Sequence, residues 1–327
     1  MARRKTKKKA GKALFSIIIV IILAITGYFF KDELPTFVDF PDPNNNATAG
    51  GPVDGIPSVT DPNYLTVHYI DVGQGDSILL ACGGEYMLID AGETDGDDTV
   101  IHYLNGLGIE EIDLVVATHG DSDHIGEMDD VLNAIPADTV WYPNYGHGTK
   151  TEQRFLTAAE DCGAELYRPE LGETYDLGGA TVTVLGPVAE YDEPNDMSIV
   201  LLVQFGDDRF LFTGDLENEN AAENDLIAYW GDDALKADVL KVGHHGSHSS
   251  TSYHFLRAVA PAYAVISVGE GNSYGHPHKE TIDILSQAQV YVYRTDTMGT
   301  VVAVSDGENI TFGWVNTQVS PGIGDTE

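Results

Sequence analysis

Three short apolar segments of this sequence each run directly into histidine or aspartate residues, and this recurrence constrains the fold more than any other feature. LVVAT is followed by HGDSDH, RFLFT by a glycine and Asp215, and DVLKV by GHHGS. Apolar runs of this length are typical of buried strands. Because a sheet gathers its strand ends along one edge, we expect these polar side chains to meet in one site.

The first of these strand-end loops carries an unusual density of potential metal ligands. His119, Asp121, Asp123 and His124 lie within six residues. Histidine nitrogen together with carboxylate oxygen suits Zn, Mn or Fe, whereas an all-oxygen set would indicate Mg or Ca. The loop is therefore predicted to bind metal. Asp215 has an alternative role, because it could instead cap a helix that begins near Glu217.

From Tyr64 onward, short apolar runs alternate with helical stretches and no internal repeat is visible. Strands are predicted at residues 65–70, 77–81, 86–90, 114–118, 180–185, 199–205, 209–213, 239–242, 264–268, 290–293 and 301–304. Helices are predicted at residues 97–105, 127–135, 151–161, 217–229, 252–259 and 279–288. Two sheets with helices on their outer faces would bury this many strands. The periodicity alone leaves both α/β and α+β open.

The N-terminus predicts a membrane anchor ahead of the folded region. A basic head at residues 1–12 precedes an apolar run at residues 13–30, which as a helix would span roughly 27 Å. The positive-inside rule places the head in the cytoplasm and the remainder outside the cell. A cleaved signal peptide, which would make the protein secreted, is the alternative.

Composition divides the remaining chain and describes its surface. Residues 31–63 contain six prolines and predict a flexible linker, residues 64–317 form the expected catalytic domain, and residues 318–327 are a predicted disordered tail. Beyond residue 12 there are 10 basic against 52 acidic residues, so the surface repels polyanions unless bound cations cancel its charge locally. Cys82 and Cys162 are compatible with one disulfide or with two thiols.

Two further motifs, NSYGHPH and YRTDTMG, could bind or protonate a substrate. The first contains Tyr274, His276 and His278, and the second contains Arg294 followed by Asp296. Each has an alternative structural role, because His278 could cap the helix that follows it and Arg294 could pair with Asp296.

At this point the sequence resembles the metallo-β-lactamase superfamily, and within it the C-terminal domain of the ComEC-type DNA-uptake proteins. The matching stretches extend from about residue 64 to residue 315 and are HYIDVGQGDSILL, MLIDAG, THGDSDHIG, NDMSIVLLV, RFLFTGDLE, LKVGHHGSHSS, NSYGHPH and YRTDTMGTV. The resemblance implies an α+β fold of the αββα sandwich type. It also implies metal-dependent hydrolysis by a metal-bound hydroxide.

The resemblance implies two divalent transition metal ions, Zn or Mn, with Fe as a further option. Their implied ligands are His119, Asp121, Asp123, His124, Asp215 and His244. Asp121 stands where a second histidine is usual, and the usual third histidine is missing near Asn195, which should shift the preference toward Mn or Fe. His245 competes with His244 for the last ligand position.

The remaining roles also follow from the resemblance. Catalytic roles are expected for Asp123, His245 and His276. Substrate binding is expected for Asn195, Tyr274, His278 and Arg294. Asp90 is expected to orient the ligands, and Asp71 and Asp76 belong to a loop expected to border the site.

Phosphodiesters, DNA among them, are the first choice of substrate because paired metals suit phosphoryl transfer. One alternative is another extracellular ester or amide, such as a phosphocholine ester, a lactone or a β-lactam. A second is a degenerate, non-catalytic binding module. The membrane is an expected partner through the N-terminal helix, and the sequence identifies no protein partner.

Overall fold

The computed structural model describes residues 56–94, 97–143, 148–219 and 221–315. The predicted head, anchor and tail, and most of the predicted linker, lie outside these residues. Among the residues described, none of the helices is both long enough and apolar enough to cross a bilayer.

Eight strands form the first sheet. They are β1 Leu65–Tyr69, β2 Ile78–Cys82, β3 Glu85–Ile89, β4 Ile112–Val116, β5 Ala137–Trp141, β6 Glu165–Tyr167, β14 Thr300–Ser305 and β15 Ile310–Val315. Their order is β15-β14-β1-β2-β3-β4-β5-β6. Strands β3 to β6 are mutually parallel, whereas β1 pairs antiparallel with both β2 and β14.

Seven strands form the second sheet. They are β7 Thr174–Leu177, β8 Ala180–Gly186, β9 Val200–Phe205, β10 Asp208–Phe212, β11 Val239–Lys241, β12 Tyr263–Ile266 and β13 Tyr291–Arg294. Their order is β13-β12-β11-β10-β9-β8-β7. The pairs β10–β11, β11–β12 and β12–β13 are parallel, so the carboxyl ends of β10 and β11 lie at the same edge.

The α-helices are α1 Thr99–Gly106, α2 Ser122–Ile125, α3 Met128–Ala134, α4 Lys150–Cys162, α5 Ala222–Trp230, α6 Asp232–Leu235, α7 Tyr253–Val259, α8 Lys279–Gln287 and α9 Thr295–Met298. Two short 3-10 turns, Asn195–Met197 and Gly243–Gly246, lie beside the strand ends. Both cysteines, Cys82 and Cys162, are free thiols.

The core has three layers, and strand alternation explains them. Leu65, Val67 and Tyr69 of β1 point into an apolar layer between the two sheets. A second layer packs α1, α3 and α4 against the outer face of the first sheet. A third packs α5, α7 and α8 against the outer face of the second. The two-sheet α+β sandwich predicted from the sequence is therefore confirmed.

Several elements differ from the sequence-based prediction. Strands β5, β6, β7 and β15 were not predicted, and three of them are short or lie at a sheet edge. The helix expected from Glu217 begins only at Ala222, because Ala221 takes a left-handed conformation with φ of 71°. Asp215 therefore lies outside the helix and does not cap it.

Candidate metal centre

The three strand-end segments of the sequence meet at one edge of the sandwich. His119 follows β4 of the first sheet, whereas Asp215 and the His244–His245 pair follow β10 and β11 of the second sheet. The two sheets are tied together beside the site, because the Ile199 N–H donates a hydrogen bond of 2.9 Å to the Thr118 carbonyl. The predicted convergence of polar side chains is therefore present.

His119, His124 and Asp215 form the deepest part of this cluster. All three are buried, and the rings of His119 and His124 lie 4.1 Å apart between centroids. Nε2 of His124 lies 3.3 Å from Oδ1 of Asp215. On the other side of the carboxylate, Oδ2 of Asp215 lies 3.5 Å from Nε2 of His245. Asp215 thus presents a different oxygen to each of two histidines.

The inward-facing atoms of this cluster have the arrangement expected of metal ligands. Nε2 of His119, of His124 and of His245, together with Oδ1 of Asp215, are buried and make no hydrogen bond with any described residue. Buried polar atoms are rarely left without partners. One set of donor atoms, from His119, His124 and Asp215, and a second, from Asp123, His124 and His245, each fall within 4.8 Å. The donors therefore fit divalent transition metal ions.

The opposite nitrogen of each histidine is held by a neighbouring group. Nδ1 of His124 lies 2.8 Å from Asp90 Oδ2, and Nδ1 of His245 lies 3.0 Å from the Ser267 carbonyl. Nδ1 of His119 lies 3.1 Å from the Thr118 hydroxyl. Such contacts fix the tautomer and the ring orientation of ligating histidines. They therefore direct all three Nε2 atoms toward the centre.

Asp90 is placed by an unusual backbone conformation. Its φ of 56° lies in the left-handed region, which is costly for a residue other than glycine and is concentrated at functional sites. Its Oδ1 accepts the Thr118 N–H at 2.8 Å and its Oδ2 accepts the Thr118 hydroxyl at 2.7 Å. Asp90 thus holds both His124 and the end of β4, which is the position expected of a ligand-orienting residue.

His244 and His245 reach the site together because both take left-handed backbone conformations, with φ of 45° and 51°. His245 is buried and belongs to one of the close donor sets. His244 lies at the rim with its side chain 26% exposed, and its Nε2 is 3.8 Å from Asp215 Oδ2. Its Nδ1 is paired with Glu217 Oε1 at 2.7 Å. The geometry favours His245 over His244 as the ligand.

The charges of the cluster favour a bound cation. Burial lowers the pKa of His245, but Asp215, Asp123 and Asp76 outweigh it and raise that pKa to about 10. For Asp215, burial raises the pKa, but His124 and His245 outweigh it and hold the pKa well below its usual value. The carboxylates therefore remain ionised and generate a negative potential at the histidine nitrogens.

A pocket of about 130 Å³ opens from the cluster to solvent. Its lining residues are Gln74, Asp121, Asp123, Asp215, His244, His245, Tyr274 and His276. Burial and the nearby His244 and His245 lower the pKa of His276 to about 4. His276 is therefore neutral at physiological pH. The exposed ring of Tyr274 stacks on His276 at 5.6 Å between centroids.

The other predicted residues lie at differing distances from this pocket. Asp121 lies at its rim, with Oδ2 3.7 Å from His119 Nε2 and its side chain 43% exposed. Asn195 approaches His244, with 3.5 Å between its Nδ2 and the histidine Nδ1. Asp76 contacts the cluster from behind, because its Oδ1 lies 3.4 Å from His245 Nδ1.

Three of the predicted residues that do not line the pocket are bonded to groups other than the metal-binding side chains. Arg294 pairs with Asp296, with 2.9 Å between Nε and Oδ1, which is the structural role that the sequence left open. His278 begins α8 without a side-chain cap, and its Nδ1 accepts the His248 N–H at 3.0 Å. Asp71 Oδ1 accepts the Gly73 N–H within its own loop.

Three residues near the site were missed by sequence reasoning. Glu217 pairs with His244, Gln74 lines the pocket, and Lys241 is buried behind the cluster. The charged Lys241 in the otherwise apolar segment DVLKV was the one signal available. Glu217 was instead read as the start of a helix.

The fold and this site define the chain as a member of the metallo-β-lactamase superfamily. The family model described as "Metallo-beta-lactamase superfamily" matches residues 70–270, and the chain belongs to this family. A variant of the β-hydroxylase CmlA from Streptomyces venezuelae superposes with a TM-score of 0.50 at 12% identity, covering 74% of this chain and 53% of that one. This likeness reflects the fold alone.

Within the superfamily, the chain is similar to curated competence proteins. It is 32% identical over 254 residues to "ComE operon protein 3" of Bacillus subtilis, which covers 72% of this chain and 32% of the relative. It is 32% identical over 248 residues to "Competence protein ComA" of Neisseria gonorrhoeae, which covers 74% of this chain and 33% of the relative. The chain thus spans about a third of the length of these relatives.

Proposed function

We propose that this protein is a metal-dependent hydrolase that cleaves phosphodiesters, with DNA as the favoured substrate. The observation that carries the proposal is the convergence of four buried metal-binding atoms, none of which forms a hydrogen bond with a described residue, beneath an open pocket. A degenerate binding module would not need this set of ligands with their supporting hydrogen bonds.

Two divalent cations, Zn or Mn with Fe as a further option, would be held by His119, His124, His245, Asp123 and Asp215. Bound there, they would supply a Lewis acid and would lower the pKa of a water molecule so that it becomes a nucleophile at neutral pH. Asp215 is suited to serve both cations, because its two oxygens face different histidines.

The protein's own side chains orient the reacting groups. Asp123 lies at the pocket, with Oδ2 3.3 Å from His245 Nε2, and it can accept a hydrogen bond from an attacking water. On the rim, Glu217 accepts the Nδ1 hydrogen of His244, which leaves His244 Nε2 facing the pocket. Burial lowers the pKa of His244, but Glu217 and Asp215 outweigh it and raise that pKa. A ring protonated at both nitrogens can donate a hydrogen bond from Nε2 to an oxygen of the substrate.

The pocket wall formed by Tyr274 and His276 is the proposed substrate-binding surface. The neutral His276 can donate or accept a hydrogen bond, and the exposed ring of Tyr274 offers a face on which a base could stack. Asn195 would contribute from the side of His244.

Support for a phosphodiester comes from two sources. Paired metal sites suit in-line displacement at phosphorus, and the curated relatives are named as competence proteins. Because the chain covers only about a third of those relatives, their complete activity does not transfer to it. The acidic surface opposes an extended grip on nucleic acid, so we expect contact with only a few nucleotides around the metals.

The proposal is tested with metal-loaded full-length protein in detergent. We expect hydrolysis of bis-p-nitrophenyl phosphate and of single-stranded DNA, with loss of both activities in chelator and recovery on addition of Mn or Zn. Nitrocefin, a lactone and a phosphocholine ester serve as competing substrates. Turnover of one of these with inert phosphodiesters would contradict the proposed substrate class, and turnover of none would contradict the enzymatic function.

We also propose that residues 13–30 anchor the protein in the membrane with the catalytic domain outside the cytoplasm. The basic head and the apolar run that follows it support this orientation. Protease added to intact cells should then remove the region from Tyr64 onward and leave the head protected. Recovery of the domain only from the cytosol would contradict this orientation, and a freely released domain would indicate cleavage of the segment.

A further inference from the structure

Lys241 is a buried lysine in the interior between the two sheets. It is 0% exposed and occupies the last position of β11, two residues after Val239. Because alternate side chains of a strand share a face, Lys241 points to the same side as Val239, which packs in the layer between the sheets. A buried ammonium is strongly unfavourable unless it is paired.

The partner of Lys241 comes from the other sheet. Its Nζ lies 2.6 Å from Oδ2 of Asp76, which is also buried, and donates a second hydrogen bond of 2.9 Å to the Val242 carbonyl. Asp76 belongs to the loop between β1 and β2. The ion pair therefore links the two sheets directly behind the proposed metal centre.

The loop that carries Asp76 is held tightly against the metal-binding loop. The Asp76 N–H donates to the Asp123 carbonyl at 3.1 Å. A Cβ at Gly75 would lie 2.2 Å from that same carbonyl oxygen, and the φ of Gly75 is 130°. Only glycine permits this approach. Asp76 is thus fixed with one oxygen on Lys241 and the other 3.4 Å from His245 Nδ1.

Asp76 has two possible roles that differ in kind. It could bind a metal, because its carboxylate, Asp215 and His245 offer donor atoms within 4.8 Å of one another. It could alternatively anchor His245 from behind. A divalent cation on this carboxylate would lie close to the Lys241 ammonium, and two cations on one buried carboxylate repel each other strongly.

We propose that Lys241 is a positioning residue that occupies the cation position at Asp76, so that Asp76 orients His245 and the metals remain on the pocket side. This inference rests on the proposed metal centre, and it assigns a role to a residue that contacts neither metal nor substrate. The donor set that includes Asp76 is as compact as the other sets. The Lys241 ammonium disfavours it, because it would repel a divalent cation bound there.

Metal binding without substrate tests the inference. Lys241→Met removes the ammonium, and Lys241→Met with Asp76→Asn removes both charges and so avoids a buried unpaired carboxylate. Metal content per chain, the visible spectrum of the Co²⁺-loaded protein and the rate of metal release to a chelator are compared with those of wild type. Asp208→Asn is the control, because Asp208 is a buried carboxylate bonded to Ser305 away from the site.

In Lys241→Met we expect the freed Asp76 carboxylate to join the ligand set, which changes the Co²⁺ spectrum and slows metal release at least tenfold. In the double variant we expect the metal count and spectrum of wild type, with faster metal release because the carboxylate that orients His245 is gone. If the single variant does not fold, the double variant decides by the same comparison.

Loss of a metal from the double variant would show that Asp76 is itself a ligand and would overturn the inference. A folded Lys241→Met protein with an unchanged spectrum and release rate would overturn it as well. Both results leave the proposed hydrolase function intact, because hydrolysis is assayed separately. A wild-type protein that binds no metal would overturn both.

Discussion

Asp90 and His124 are joined by a fully buried contact of 2.8 Å between Oδ2 and Nδ1. The same carboxylate accepts the N–H and the hydroxyl of Thr118, so it has no freedom to rotate away from the histidine. The contact assigns the hydrogen of His124 to Nδ1 and leaves the lone pair of Nε2 for a metal.

Asp90→Asn should therefore weaken metal binding without removing a ligand. An asparagine keeps the shape but exchanges one accepting oxygen for a donor, and loss of such supporting contacts typically lowers metal affinity about 10–100-fold. Competitive chelator titration measures the change. Asp113→Asn is the control, because Asp113 accepts a backbone N–H from Tyr86 elsewhere in the fold. Equal affinities in both variants would contradict the role of Asp90.

Substitution of His245 should reduce metal binding, whereas substitution of His244 should reduce turnover. His245→Asn should lose at least one metal, because its buried Nε2 belongs to a close donor set. His244→Asn should keep both metals and lose turnover about a hundredfold. Metal analysis and steady-state kinetics on bis-p-nitrophenyl phosphate measure the two effects. The reverse pattern would make His244 the ligand.

Asp121→His should strengthen the binding of Zn²⁺. Asp121 lies 3.7 Å from Nε2 of His119, and imidazole suits zinc better than a carboxylate does. We expect the affinity for Zn²⁺ to rise at least tenfold and the preference between Mn²⁺ and Zn²⁺ to move toward Zn²⁺. Glu160→His, on an exposed position of α4, is the control. An unchanged zinc affinity would show that position 121 does not reach the metal, and a lowered one would show that imidazole is the poorer ligand there.

His68 predicts a loss of stability in acid that is independent of the metals. Burial lowers the pKa of His68 to about 4. In the interior its ring nitrogens contact the Tyr103 and Thr66 hydroxyls. Between about pH 6.5 and 4 the unfolded chain binds a proton that the folded chain does not. The free energy of unfolding therefore falls by up to about 1.4 kcal/mol for each pH unit by which the pH is lowered in this range.

Chemical denaturation in chelator at several pH values measures this contribution. His68→Gln should remove the added slope between pH 6.5 and 4, whereas the control variant His102→Gln, at an exposed histidine, should keep it. Identical slopes for wild type and His68→Gln would contradict the assignment.

Local sequence patterns predicted the metal-binding residues better than they predicted the buried residues that position them. The apolar runs before His119, Asp215 and His244 identified strands whose ends meet, because strand burial and strand-end position are local properties. Lys241 and Asp76 are far apart in the chain and pair across two sheets, which no local pattern indicates. A single charge within an apolar strand marks such a residue but not its partner.

The missed elements have equally specific causes. Strand β6 is exposed at all three of its positions, so it carries no alternation of apolar and polar residues. The helix predicted from Glu217 begins late because Glu217 is committed to His244 and Ala221 interrupts the helical backbone. In both places tertiary contacts outweigh local propensity.

Asp215→Asn tests the central claim most directly, namely that one carboxylate serves two metals in a hydrolytic site. The variant keeps the shape of the side chain, so we predict near-normal melting in chelator. We also predict loss of at least one metal and of nearly all phosphodiester hydrolysis, because an amide is a poor ligand between two cations. An Asp215→Asn protein that retains two metals and hydrolyses phosphodiesters at the wild-type rate would contradict the account.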